Sequence, residues 1–489
     1  MKSKIIYLLT IICVLLASIS FYQLDHKTKR IHQHLDSRWQ KNISKNSSIF
    51  QTHLPIITLN THEQKIPGAP IITNNDTQLY ETGANGETSI EAEFTIIDEQ
   101  KGSNKLTDKT SLKTNSLIHY RGNSSRHFDK KSYSIHFIDN EGKENKKELA
   151  GMYKHDEWIL NGPFLDRSLL RNYLCFNISG EIMSYAPNVR FCELYVNDNY
   201  QGIYLLMEPI SRSEGRINIT KPSKNNDLTS FIVRFDRQNK STIPLDNYSY
   251  YTYKTGESAL DVLYPGKNLI SEGRKKYIQK QIDTVERILY SIDLWSNHNS
   301  YSKYLDTTAF AQYFIINEFF RNVDAGNYST YYYKDIRGKI KPCVWDFNNS
   351  CDNYIDDVWN EEGFSLIYTP WFSQLIKDKD FVYSIVRIYH QLRKSILSED
   401  YLIEYIDNTN TWLDSAIQRN DEVWGYVYDL NNYNELNYLK PVERNIESHD
   451  EAVEQLKDYL IQRGRWLDKH IESLYQYCSE SKNANEMLR

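Results

Sequence analysis

The chain has no paired cysteines. Its six cysteines, Cys13, Cys175, Cys192, Cys343, Cys351 and Cys478, are scattered, and none stands in a C-x-x-C pair. This spacing argues against a zinc site. Cys13 lies in an N-terminal apolar segment, and the remaining five are an odd number, so no complete disulfide framework is implied. A basic surplus is missing too. The 58 Lys and Arg face 64 Asp and Glu, for a net charge of −6, which argues against a dedicated nucleic-acid binder. No repeat of fixed period occurs, so nothing points to a solenoid or propeller. What remains is ordinary globular composition, 40% hydrophobic and 25% charged. A chain of 489 residues is expected to form about two to four domains or lobes. Tyrosine is abundant, at 38 residues. Its ring buries while its hydroxyl stays wet, which suits half-exposed surfaces and names no function.

Lys2 and Lys4 precede an almost wholly apolar run, Ile5 to Ile19. That length fits a signal-peptide core better than a full membrane span of about 20 residues. Extended to Tyr22, the run is long enough for a tilted anchor, and the interfacial pair Phe21-Tyr22 favours the anchor. Either way the bulk of the chain is expected outside the cytoplasm. Residues 23–53 are polar and read as a linker.

The body is expected to begin at Leu54. Alternating or apolar runs at 55–59, 88–97, 115–120 and 132–137 predict strands. Arg190–Val196 and Gln201–Met207 predict a hairpin around Asn197-Asp198-Asn199. That hairpin ends at Glu208-Pro209, a short stiff connector. Asp166 reads as the cap of a helix over Arg167–Ile182. Phe231–Phe235 is one more strand, and helical periodicity dominates from Ser271 onward. Ser448-His449-Asp450-Glu451 is a capping box that opens the last helix. Residues 420–447 read as a loop or insertion, and the tail after Cys478 is polar.

Two stretches carry chemistry. Between two strands lies Arg121-Gly122-Asn123-Ser124-Ser125-Arg126, followed by Lys130-Lys131. Such a loop either wraps an anion with its backbone N–H groups or is a plain hairpin with solvated charges. The second stretch runs from Ile315 to Asp346. A helix ends at Arg321-Asn322-Val323-Asp324, a turn follows, and an aromatic hairpin delivers Asp346. Phosphoryl transfer needs such a pair of acids, one facing the attacking hydroxyl and one holding metal. Spacing alone leaves the plain alternative standing, a turn former and a surface acid.

Five co-linear blocks add to this. RGNSSRHFDKKSYSIHF (Arg121–Phe137), WILNGPFLDRSLLRN (Trp158–Asn172), ELYVNDNYQGIYLLMEPI (Glu193–Ile210), NEFFRNVDAGNYSTYYYK with VWDFN, and LKDYLIQRGRWL resemble the CotH family of spore-coat-protein-H kinases. The resemblance runs in order from Leu54 to about residue 475. It implies an α+β, atypical bilobal protein-kinase-like fold. Residues 1–22 would be the signal peptide or anchor and 23–53 the linker. Residues 54–207 would form a strand-rich N-lobe, 208–478 a helical C-lobe and 479–489 a tail. It implies ATP and Mg²⁺, or Mn²⁺, as cofactors and a Ser/Thr protein substrate in an envelope or coat, or the chain itself. It implies further that Lys131, or else Lys130, meets the phosphates under Arg121, Asn123 and Ser124, and that Glu208 marks the adenine side. Asp324 would face the substrate hydroxyl, with Asn322 supporting it. Asp346 would hold metal with Asn327 or Ser329. Two departures stand out: Ser329 where the family often has Asn, and Asn348 where it often has Asp. They favour a second possibility, a nucleotide-binding scaffold or adhesin without turnover, with Asp352 as a substitute acid if turnover survives. A carboxylate-pair hydrolase is a third, for which the basic loop would be incidental.

Overall fold

The computed structural model describes residues 30–40, 50–71, 79–99, 103–237, 242–248, 258–290, 298–432 and 436–479. The expected signal or anchor segment and nearly all of the tail lie outside these residues. Among the described residues no helix is long and apolar enough to cross a membrane.

Seven strands close a barrel in the first half of the chain. They are β1 (Ile56–Asn60), β2 (Ile90–Ile97), β3 (Leu112–Arg121), β4 (Ser132–Ile138), β5 (Glu157–Asn161), β6 (Val189–Val196) and β7 (Asn199–Met207). Their order round the barrel is β1-β6-β7-β5-β4-β3-β2, with β2 returning to β1. Only the β1–β6 contact is parallel. Side chains on a strand alternate between faces, and this alternation builds two cores. Cys192, Leu194, Tyr204 and Leu206 point into the barrel with Phe94, Ile118 and Trp158. Their neighbours Phe191, Ile203 and Leu205 face outward onto the helices.

The second half is mainly helical. Its helices are α2 (Glu272–Leu289), α3 (Thr307–Phe319), α4 (Lys379–Arg393), α5 (Glu399–Trp424) and α6 (His449–His470), and α1 (Arg171–Ile182) sits earlier between β5 and β6. A four-stranded antiparallel sheet is set among them. Its strands β8 (Phe231–Arg237), β9 (Ser258–Tyr264), β10 (Thr330–Lys334) and β11 (Lys341–Cys343) run in the order β9-β8-β10-β11. The strand-rich front and helical back expected from sequence are therefore present. The β6–β7 hairpin turns at Asn197 and Asp198, both at positive φ, as a tight two-residue turn requires. Ser448 caps α6 by accepting from the Glu451 N–H at 3.2 Å. The reciprocal bond of the box goes one residue further back, from the Glu447 N–H to Glu451 Oε2.

Three expectations need correction. The helix expected from Arg167 begins at Arg171, because Leu169 takes φ +63° and breaks the turn. Asp166 does cap that later start, accepting the Arg171 N–H at 2.8 Å, and it also pairs inside the body with the Arg171 guanidinium at 2.7 Å. The loop or insertion expected from residue 420 starts later, because the longest helix, α5, runs on to Trp424 with Leu402, Ile406, Leu413, Ile417 and Asn420 on its buried face. Finally, residues 30–40 are not a free linker. Arg30, Gln33, His34 and Trp39 are buried against the body, because hydrogen bonds there satisfy polar side chains that a linker would leave in water.

Gly202 shows how tightly α5 seats on the barrel. It sits at φ +85°, and a Cβ there would come within 2.5 Å of Asn420 Oδ1. Asn420 Oδ1 instead accepts from Lys130 Nζ at 2.8 Å and from the Ile203 N–H at 3.2 Å.

Candidate active site

Helix α3 is capped by Asp306, whose carboxylate accepts from the Ala309 N–H at 3.0 Å. Its last turn buries Glu318, which pairs with Arg463 of α6 at 3.0 Å and accepts the Ser365 and Leu366 N–H groups. The LIQRGRWL block thus anchors the helix that leads into the site. After α3, Arg321 turns the chain at φ +45°. Asp324 sits in a turn closed by the Asn327 and Tyr328 N–H groups on its carbonyl. The β10–β11 hairpin then pairs Tyr331 with Cys343 and Tyr333 with Lys341. Three residues past β11, Asp346 takes φ +55°. A left-handed backbone at an aspartate costs free energy and persists only where its surroundings enforce it.

The enforcing groups are mostly amides. Asn348 Nδ2 donates to Asp346 Oδ1 at 2.6 Å, and Asn349 Nδ2 donates to Asp324 Oδ2 at 2.7 Å. Adjacent residues thus hold one acid each. Asn172, on α1, ties this loop down by accepting from the Phe347 N–H at 3.0 Å and donating to Asn348 Oδ1 at 2.6 Å. Arg171 grips the next turn, donating to the Ser350 carbonyl at 3.1 Å and the Cys351 carbonyl at 3.2 Å. The Phe347 ring meets Phe176 and Phe320 edge-on.

Charge in this site is unbalanced. Burial first, and then the charge of Asp346, raise the Asp324 carboxyl from 3.8 to about 6, against the Asn349 hydrogen bond and Arg237, which lower it. Burial also raises Asp346, while Arg121 and Asn348 pull it back. A carboxyl raised on folding holds its proton more tightly in the native state. Its contribution to stability is therefore full below the unfolded value of 3.8 and is lost as pH rises through about 6. Asp324→Asn is expected to remove that dependence. The variant's melting temperature should gain on the parent's between about pH 4 and about pH 7, and an unchanged difference across that window would contradict the assignment.

The sequence-derived residues separate into two groups. Arg121 belongs with the acids: its guanidinium lies over the Trp345 ring at 5.9 Å, and its charge acts on Asp346. Asn322 does too. It is buried, its Nδ2 donates to the Trp345 carbonyl at 3.3 Å, and its Oδ1 has no hydrogen-bond partner. Asn327 and Ser329 lie in the turn after Asp324, Ser329 at φ +49°. The lysines point elsewhere. Lys131 Nζ folds back onto the Arg126 and Phe128 carbonyls at 2.8 and 2.6 Å, closing its own loop. Lys130 is buried beneath α5, bonded to Asn420 and flanked by the Tyr204 and Trp424 rings, and burial lowers its pKa to about 7. In the loop between β3 and β4, Asn123 is half-buried and Ser124 exposed. Glu208 is buried and accepts both the backbone and side-chain N–H of Asn188. Asp352 is bound to Arg444 at 2.9 Å and accepts the Trp359 N–H, so it is not a substitute acid beside Asp346. A cavity of about 570 Å³ lined by Asp352, Glu361, Asp450 and Glu454 is separate, since neither Asp324 nor Asp346 lines it.

The sequence profile of the family described as CotH kinase protein matches residues 118–467, more than two thirds of the chain. The chain belongs to the CotH kinase protein family. It is similar to the inner spore coat protein H of Bacillus subtilis (strain 168), at 21% identity over 377 residues that cover 73% of this chain and 87% of that protein. The matched span takes in Arg121, α1 and both acids, and ends just past Arg463.

A CotH kinase is expected to take ATP and a divalent cation. Among the described residues no cluster of three His, Cys, Asp or Glu stands ready for a metal. Asp324 and Asp346 are oxygen donors, the kind Mg²⁺ and Mn²⁺ prefer, and the orphaned buried Oδ1 of Asn322 is a third. With nucleotide phosphates supplying further oxygens, these residues fit such an ion. Sequence reasoning missed Asn172, Asn349 and Arg237. Asn172 ends the Trp158–Asn172 stretch, but nothing local shows that α1 carries it to the Asp346 loop.

Proposed function

We propose that this CotH kinase is exported, folds as a bilobal kinase, and transfers the γ-phosphate of ATP to Ser or Thr hydroxyls of envelope or coat proteins, or of itself. The observation that carries the reading is the acid pair on one loop system, with Asp324 raised towards neutrality and Asp346 facing Arg121. Asp324 would accept the hydroxyl proton on Oδ1, its Oδ2 being held by Asn349, a task suited to a carboxyl with pKa near 6. Asp346, with Asn322 Oδ1, would hold the divalent ion, which supplies charge neutralisation for the transferred phosphoryl group. Arg121 would face the phosphates from the barrel side. Similarity to a spore coat protein supports a coat or envelope setting.

A second reading, a nucleotide-binding scaffold without turnover, is favoured by one observation. Asn348 and Asn349 occupy an oxygen of each acid, and both lysines of the basic loop are committed elsewhere. ATP labelled at the γ- or the α-phosphate separates the outcomes. The kinase reading expects γ-label in protein, dependent on Asp324. Transfer of α-label would mean AMP transfer, and no transfer with retained ATP binding would mean the scaffold.

A further inference from the structure

Residues 30–40 pack through side chains that bond the backbone of β6 and of the stretch between α1 and β6, and side chains of α1 and α5. The Arg30 guanidinium donates to Asn177 Oδ1 at 3.3 Å, to the Pro187 carbonyl at 3.0 Å and to the Ala186 carbonyl. It lies against Gly180, where any Cβ would overlap it. Gln33 meets the main chain of Phe191 on β6 twice, accepting its N–H at 2.7 Å and donating to its carbonyl at 3.1 Å. Both the backbone N–H and Nδ1 of His34 reach the Tyr173 hydroxyl on α1. His32 bonds Tyr405 of α5 at 2.9 Å, and the Trp39 carbonyl accepts from Trp412 Nε1 at 3.0 Å. The segment therefore touches the barrel, α1 and α5 together.

We propose that Arg30–Gln40 is a docking strap, and that its seat on α1 is coupled to the loop of Asp346. The coupling element is α1 itself. Its first turn, Arg171 and Asn172, holds the Ser350–Cys351 carbonyls and Phe347. Its later turns, from Tyr173 to Gly180, hold the strap. A helix of this length moves as a rigid body, so unseating the strap frees the helix that fixes the metal-side loop. The docking surface is a groove for a short segment whose arginine, glutamine and tryptophan sit three and six residues apart, and its occupant is this chain's own N-terminal side. The link to activity rests on the kinase reading. The docking itself does not.

The test uses the full chain with a protease site inserted between Lys41 and Ser48. After cleavage the N-terminal fragment is expected to co-elute with the body on gel filtration. In Arg30→Ala it should leave at least about tenfold faster, because charge-assisted hydrogen bonds are lost. In Gly180→Leu it should not be retained. Circular dichroism before cleavage checks that both variants are folded. Immediate separation of the wild-type fragment, or equal retention in Arg30→Ala, would overturn the strap. If phosphate transfer is measurable, release of the fragment should lower it while leaving the barrel folded. If the wild type transfers nothing, retention still decides the docking.

Discussion

Asp346→Asn is expected to lower phosphate transfer by about a thousandfold or more while leaving the chain folded. Metal-centred charge stabilisation is worth several kcal/mol, and each 1.4 kcal/mol is about tenfold in rate. Folding should survive because the carboxylate is a strained and disfavoured charge. Burial raises its pKa, the backbone sits at φ +55°, and neutralising it relieves the repulsion that raises Asp324. The substituted amide keeps an oxygen toward Asn348 Nδ2, so the loop retains its clamp. A melting temperature equal to or above the parent's, with transfer lost, is the expected pair of results. Full transfer in this variant would remove Asp346 from the chemistry.

Arg171→Met is expected to be the most destabilising change near the site, by about 3–5 kcal/mol, read as a lower urea midpoint at unchanged slope. Both partners of the Arg171–Asp166 pair are inside, so removing one strands a buried carboxylate. The same substitution leaves the Ser350 and Cys351 carbonyls without their donor. Replacing both residues, Asp166→Asn with Arg171→Met, should recover part of the loss, because the uncompensated charge is gone. If the single variant is as stable as the parent, the pair is not what holds the loop.

Features written locally in the chain were legible in the sequence. The β6–β7 hairpin announced itself through Asn197-Asp198, which accept positive φ, and α6 through its capping box. The two acids were legible because an apolar helical run and an aromatic hairpin, each ended by a change of residue type, deliver them. Long-range features were not. The destination of Lys130 depends on where α5 seats, because its partner Asn420 stands 290 residues further along the chain. Asn348 reads in sequence as a lost acid, whereas in the fold it is the donor that holds Asp346. Arg30 and Gln33 look like linker residues because polarity alone cannot reveal that Phe191 and Asn177 satisfy them.

The most direct measurement is the intact mass of the full chain after incubation with ATP and Mg²⁺ or Mn²⁺, beside the same incubation of Asp346→Asn. The expected result is a gain of one or more phosphate groups in the parent, on the chain itself or on an added coat or envelope protein, and none in the variant. An unchanged mass with either metal, while ATP still raises the melting temperature, would contradict the kinase and leave the acid pair as part of a binding site.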